Sequence, residues 1–203
     1  LKFAGLVENI GDQQLFLSLL VAMTGALILG MGMPTLPAYL IIVLIMGPAI
    51  KLLGLSTLVV HLFVFYYGVA SSLTPPVAIA AYVAAPIAGA NPILTAFMAL
   101  RIGAAKFIIP FAFAYYPTLL LVENFDLLSF ISIILRLTLT IYLISTALSG
   151  YDRNRLNFAS IAIRLILAGS CLLTPIAIHG PATLLTIIII LRTWQIYPFK
   201  NQE

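Results

Sequence analysis

Charge is what this sequence has least of. Asp, Glu, Lys and Arg make up 8% of its 203 residues, where a soluble domain carries about 25%. With 63% hydrophobic residues and a mean hydropathy of +1.16, that shortage excludes a water-soluble fold. Cys171 is the only cysteine, so no intrachain disulfide or CxxC site exists, and its place in an apolar run reads as a small buried hydrophobe. The two histidines, His61 and His179, stand near segment ends with no partner at ligand spacing, which argues against zinc. No acidic residue lies inside an expected span, and no nucleophile, base or carboxylate pair suggests an intramembrane enzyme. The net charge of +4 is small and its basic residues are scattered, so nucleic acid is not an expected partner. An initiating Met and a signal-peptide pattern are also missing, and the chain is expected to be a piece of a longer protein.

What is present is a series of long apolar runs. Unbroken runs rather than short alternating segments exclude an outer-membrane barrel, leaving an all-α polytopic membrane protein. Two runs lose their helical pattern, at Gly30 to Thr35, GMGMPT, and at Ser71 to Pro76, SSLTPP. Lipid offers no hydrogen-bond partner, so backbone that leaves the helix at membrane depth must be buried in protein or line a polar cavity. Gly30 and Gly32 permit a sharp turn and close approach. Pro34 and Pro37 remove N–H donors and restrict the residues before them, freeing carbonyls around Met31 and Met33. Thr35 adds a hydroxyl oxygen, completing a hard-oxygen environment that suits a small cation. At the second break Ser71, Ser72 and Thr74 supply hydroxyls while Pro75 and Pro76 keep the ladder open. Hydroxyls so placed also bond back to carbonyls of their own helix, and some of the three are expected to do so.

In chain order, residues 1–14 read as a loop or surface helix. The apolar run 15–29 is shorter than the roughly 20 residues needed to cross, and with 36–53, interrupted at Gly47 and Pro48, it suggests a re-entrant helical hairpin over about 13–53; the second reading is two kinked full spans with the break near one surface. Ser56 or Thr57 caps the next helix, a discontinuous one over about 58–85. An arm and span follow over 91–122, interfacial around Arg101 and Lys106 and crossing from Phe107 to Val122. The region 1–122 is thus expected as one transport unit, and 123–203 as C-terminal transmembrane helices: Leu127 to Leu148, Phe158 to Ile178 and, after a turn at His179, Gly180 and Pro181, Ala182 to Trp194. Trp194 and Tyr197 are expected interfacial anchors. Arg136, inside a span, is expected to be paired structurally or to snorkel. The positive-inside rule, against Lys51 and Lys2 but with Arg101, Lys106, Arg153, Arg155, Arg164, Arg192 and Lys200, places the C-terminus in the cytoplasm.

Gly30 to Tyr39, GMGMPTLPAY, with His61 to Tyr67, HLFVFYY, Ser71 to Tyr82, SSLTPPVAIAAY, and Gly89 to Leu121 resembles the large membrane subunit of tripartite ATP-independent periplasmic (TRAP) transporters, most closely the fused permeases. The resemblance implies an elevator-type secondary transporter of the bacterial inner membrane with inverted repeats, this chain holding the second repeat and the tail. It implies sodium as coupling ion, no other cofactor, and an organic-acid substrate delivered by a periplasmic substrate-binding protein, of the TAXI type in many fused permeases. The small membrane subunit would be fused upstream. Carried over by residue, Gly30, Gly32, Pro34, Thr35, Ser71, Ser72, Thr74 and Pro75 would form one sodium site, with Thr35 and Thr74 as hydroxyl ligands beside backbone carbonyls. Two other readings stay open: a passive channel or proton-coupled carrier, and a non-transporting membrane scaffold in which the breaks are kinks or packing contacts.

Overall fold

The computed structural model describes residues 15–122 and 125–196, the last three by their backbone. The expected surface stretch 1–14, Glu123 and Asn124 of the polar loop, and the side chains of Trp194 and Tyr197 lie outside that description. Nine α-helices run through the described residues, with two short 3-10 turns, Ser71–Leu73 and Pro117–Leu120, and a two-residue β-ladder. The chain divides into two compact units between Pro117 and Thr118, where the sequence reading set 122/123.

The first unit begins with α1 (Leu15–Gly30) and α2 (Thr35–Leu52), joined through Met31 to Pro34 and packed on each other. The interruption expected at Gly47 and Pro48 is not there. α2 runs through both, because one proline removes a single donor, whereas leaving the ladder in an apolar medium would strand several groups. Ser56 caps α3 (Thr57–Ala70), its Oγ accepting from the Val59 N–H at 3.4 Å. α3 tightens into a 3-10 turn, Ser71–Leu73, and the chain then runs extended through Thr74 before α4 (Ile79–Ile87).

Asn91 caps α5 (Pro92–Ile102) by accepting from the N–H groups of Ile93 and Leu94. α6 (Ala105–Tyr115) follows after a turn at Gly103 and Ala104. It ends at Tyr115, not Val122, since Pro117 forces the preceding residue out of helical geometry: Tyr116 has φ −133° and ψ 75°. The buried centre is aromatic. Phe63 and Tyr67 stack edge to face at 4.8 Å, Phe111 meets both, and the Tyr67 hydroxyl donates to the Phe107 carbonyl at 2.8 Å. A second cluster of small residues, Ala78, Ala81 and Ala96, lets α4 and α5 approach closely.

The second unit is built on α7 (Leu127–Ser149), the uninterrupted span the sequence announces. Asp126 caps it, accepting from the Ser129 N–H at 2.9 Å, and the Ser129 hydroxyl and N–H hold its carboxyl below the usual carboxylate range. Gly150 closes α7 and leads into β1 (Tyr151–Asp152) and β2 (Asn154–Arg155), a small ladder within the expected charged loop. α8 (Phe158–Leu172), capped by Asn157, stops well before Ile178, and α9 (Ile176–Ile196) continues through Gly180 and Pro181. The break lies at Leu173 to Pro175 instead. Pro175 restricts Thr174 before it, while its own carbonyl accepts from the N–H groups of Ile178 and His179 and starts the next helix.

Four stretches are long and apolar enough to cross a membrane: α2, α5 with α6 (Pro92–Tyr115), α7, and Ile176–Thr193 of α9. On α7 large apolar side chains such as Leu128, Ile131 and Leu135 face outward, while Arg136 and Thr140 are buried with Ile133, Leu139, Leu143 and Ala147, so the polar groups are kept off the outer face as lipid requires.

Candidate functional site

The second break is explained by its prolines. In a continuous helix the Ser72 carbonyl would accept from the N–H of residue 75 or 76, and both are Pro. Among the described residues no donor reaches the carbonyls of Ser72 or Leu73. The three hydroxyls all bond backward: Ser71 Oγ donates to Gly68 O at 2.6 Å, Ser72 Oγ to Val69 O at 2.7 Å, and Thr74 Oγ1 to Ala70 O at 2.8 Å. A hydroxyl whose hydrogen is engaged this way still has an unused lone pair to offer. Beyond the break, the Tyr82 hydroxyl donates to the Pro76 carbonyl at 2.7 Å, which fixes where that peptide points.

At the first break α1 ends on Gly30, and Gly32 turns the chain with φ +79°, a conformation an L side chain rarely adopts. Among the described residues no donor reaches the carbonyls of Met31, Gly32 or Met33. The hairpin tip therefore carries three carbonyls directed at no protein partner. Pro34 precedes α2 without a side-chain cap, and Thr35 stands exposed at its first position, its hydroxyl making no hydrogen bond among the described residues.

The tip and the break meet. Ser71 Oγ lies 3.0 Å from Gly30 O, a fully buried contact across 41 residues of sequence. The space at Gly30 is filled: a Cβ there would fall 2.6 Å from Ser71 Oγ. A Cβ on Gly32 would lie 3.9 Å from Val77 Cγ1. Gly68, one turn before the break, lets α3 approach the backbone of Tyr39 on α2. Of the sequence-derived site residues, Gly30 and Ser71 are thus in direct contact and Gly32 borders the far side of the break. Ser72, Thr74 and Pro75 form the break itself, and Pro34 and Thr35 flank the tip from outside.

Two polar groupings escaped the sequence reading. Tyr39 OH and His61 Nδ1 lie 2.7 Å apart between α2 and α3. In the second unit Arg164 and Asp152 form a buried ion pair at 2.6 Å, with side chains 4% and 6% exposed. Arg164 also donates to Thr146 Oγ1 at 2.6 Å, and Asp152 accepts from the Tyr142 hydroxyl at 2.7 Å. The sequence reads Arg164 as a topology marker, yet an arginine that far inside an apolar helix calls for a partner. Asp152, at the other end of the turn, is the acidic residue available to it. Arg136 is buried as well, at 7% exposure. Among the described residues no group of three or more His, Cys, Asp or Glu side chains gathers to hold a metal.

The family model described as Tripartite ATP-independent periplasmic transporter, DctM component, matches residues 1–128. That match spans the hairpin, the discontinuous helix and the arm that follows. No curated protein and no solved structure matches the chain.

Proposed function

Because the chain belongs to the DctM component family of tripartite ATP-independent periplasmic transporters, membrane components that work with a substrate-binding protein and a small membrane subunit, we propose that its first unit carries a sodium site between hairpin tip and helix break. The observation behind this reading is the meeting of two segments with undonated carbonyls, pinned by Ser71 Oγ on Gly30 O. Sodium takes hard oxygen ligands, and carbonyls from the tip, carbonyls from the break and the Thr74 hydroxyl supply them. Thr35 would join from the exposed side of the tip. Ligands drawn from both segments make sodium a clamp: its binding favours the arrangement in which tip and break are together.

The same site gives a physical reason for coupling. Residues 30–35 and 71–76 contain no Asp or Glu, so the ligands are dipoles and the charge of a bound sodium stays uncompensated. An organic carboxylate beside it would gain about 4 kcal/mol at 4 Å in a medium of effective dielectric about 20. Each ligand then makes the other's binding tighter. The full reading is a sodium-coupled importer of organic acids of the elevator type, in the bacterial inner membrane, with a TAXI-type binding protein and a fused small subunit.

The test is uptake by the protein reconstituted into proteoliposomes with its binding protein and small subunit, comparing the natural sequence with Thr74→Ala. Loss of one ligand is expected to raise the sodium concentration for half-maximal uptake about 10-fold, as for ~1.4 kcal/mol. Uptake indifferent to sodium, with a fully active Thr74→Ala variant, would reject the site and favour a channel or proton-coupled carrier.

A further inference from the structure

The second unit holds a cleft of about 440 Å³ that the transport reading does not use, lined by residues of the ladder, α8 and α9. Its lining is mixed: Arg155 and Arg164 with the Asn154 amide and the Ser160 hydroxyl are its polar part, and Ile163 and Ile189 are apolar. Asp152 also borders the cleft, but both its oxygens are engaged, Oδ2 by Arg164 and Oδ1 by Tyr142. Two guanidiniums against one carboxylate leave a net charge of +1, and the cation that faces outward without this pairing is the exposed Arg155.

The surroundings narrow the ligand further. The C-terminal end of α7, the N-terminal end of α8 and the last turns of α9 come together here, so the cleft opens at one end of apolar helices rather than midway along them. Among the described residues that end carries Arg153, Arg155, Arg164 and Arg192, with Asp152 paired to Arg164. A group that satisfies such a cleft has an anionic head with several acceptor oxygens for the guanidinium and amide donors, and an apolar body that lies along isoleucine. Basic pockets between helices at a cytoplasmic surface suit anionic lipid headgroups.

We propose that this cleft binds a phosphate-bearing anion, seated on Arg155 and the donors beside it, with a phospholipid's acyl chains along Ile163 and Ile189. Arg164 acts as a fixed part of the wall, held by Asp152 and Thr146. The inference stands apart from the sodium site.

The experiment measures binding to the purified protein by native mass spectrometry, with phosphatidylglycerol, phosphatidylcholine and inorganic phosphate as separate probes. Arg155→Gln is compared with the natural sequence and with Arg101→Gln, a charge lost from the other unit. Arg155 is exposed and lies outside every helix, so its replacement leaves the helices intact; an unchanged melting curve verifies this. Phosphatidylglycerol is expected to bind more tightly than phosphatidylcholine, and Arg155→Gln to weaken it about 5-fold while Arg101→Gln does not. Binding that needs the acyl chains assigns the site to lipid. Binding of inorganic phosphate alone, lost in Arg155→Gln, assigns it to the soluble anion. Equal binding by the natural and Arg155→Gln proteins, or equal weakening by both variants, overturns the proposal.

Discussion

At Gly30 the constraint is room. A methyl group there would lie 2.6 Å from Ser71 Oγ and 3.0 Å from Ser71 Cβ, and Ser71 is 1% exposed, with Ile42 also close by. Gly30→Ala is therefore expected to cost about 1–3 kcal/mol, as overpacking does, read as a lower unfolding midpoint in detergent. Ser71→Ala alone should cost ~1 kcal/mol for the lost hydrogen bond. Since removing Oγ also removes the nearest clash, the double variant should be more stable than the sum of the two losses by at least about 0.5 kcal/mol. Strict additivity would mean that tip and break do not touch. Part of this was legible in the sequence: GMGMPT announces a turn and a close approach, and SSLTPP announces an open ladder. That the two breaks belong to one site was expected as well, but the atoms that meet were not, because 41 residues separate Gly30 from Ser71 and neither motif says that Ser71 Oγ packs on the Gly30 carbonyl. Thr35 was favoured for its hydroxyl, which a sequence displays. The undonated carbonyls of Met31, Gly32 and Met33 were located only approximately, since every residue has a carbonyl and only the fold decides which lose their donors.

Prolines act differently from one helix to the next. Pro48 and Pro181 sit inside α2 and α9, which continue through them, whereas Pro75 and Pro76 end helical structure after Leu73. A lone proline removes one donor; an adjacent pair removes two in succession. Three hydroxyls just upstream offer the last carbonyls of α3 other partners. This is why the discontinuous helix could be read from sequence while the break expected at Gly180 and Pro181 falls instead at Leu173 to Pro175. Restoring the donors tests the account. Pro75→Ala with Pro76→Ala returns two N–H groups to the carbonyls before them, so exchange of the Val77 amide should slow, the new amides at 75 and 76 should be protected, and the 3-10 turn should lengthen as helix. If the undonated Ser72 and Leu73 carbonyls bind sodium, the same variant raises the half-maximal sodium concentration more than 10-fold, as for a loss exceeding ~1.4 kcal/mol. Slowed exchange with unchanged sodium dependence would keep the helix argument and remove those carbonyls from the site.

For the molecule as a whole, we propose an orientation from the distribution of charge along one helix. α7 has 23 residues, about 34 Å at 1.5 Å per residue, enough to cross a hydrocarbon core of about 30 Å. Its first end carries Asp126 and its last end leads into Arg153 and Arg155, with Arg192 near the end of α9. Excess Lys and Arg mark the cytoplasmic side. The sequence supplied this argument without the structure, but counted Arg164 among the free charges. The buried pair with Asp152 neutralises it, so among the described residues the bias of this unit rests on the exposed Arg155 and Arg192, set against Asp126 at the other end. In a Cys171→Ala background, a cysteine placed at 154 should react with a membrane-impermeant maleimide only from the cytoplasmic face, and one placed at 125 only from the periplasmic face. The phosphate cleft would then open to the leaflet facing the cytoplasm, where anionic headgroups concentrate. The opposite labelling pattern would turn the C-terminus to the periplasm and show that these arginines do not govern the insertion of α7.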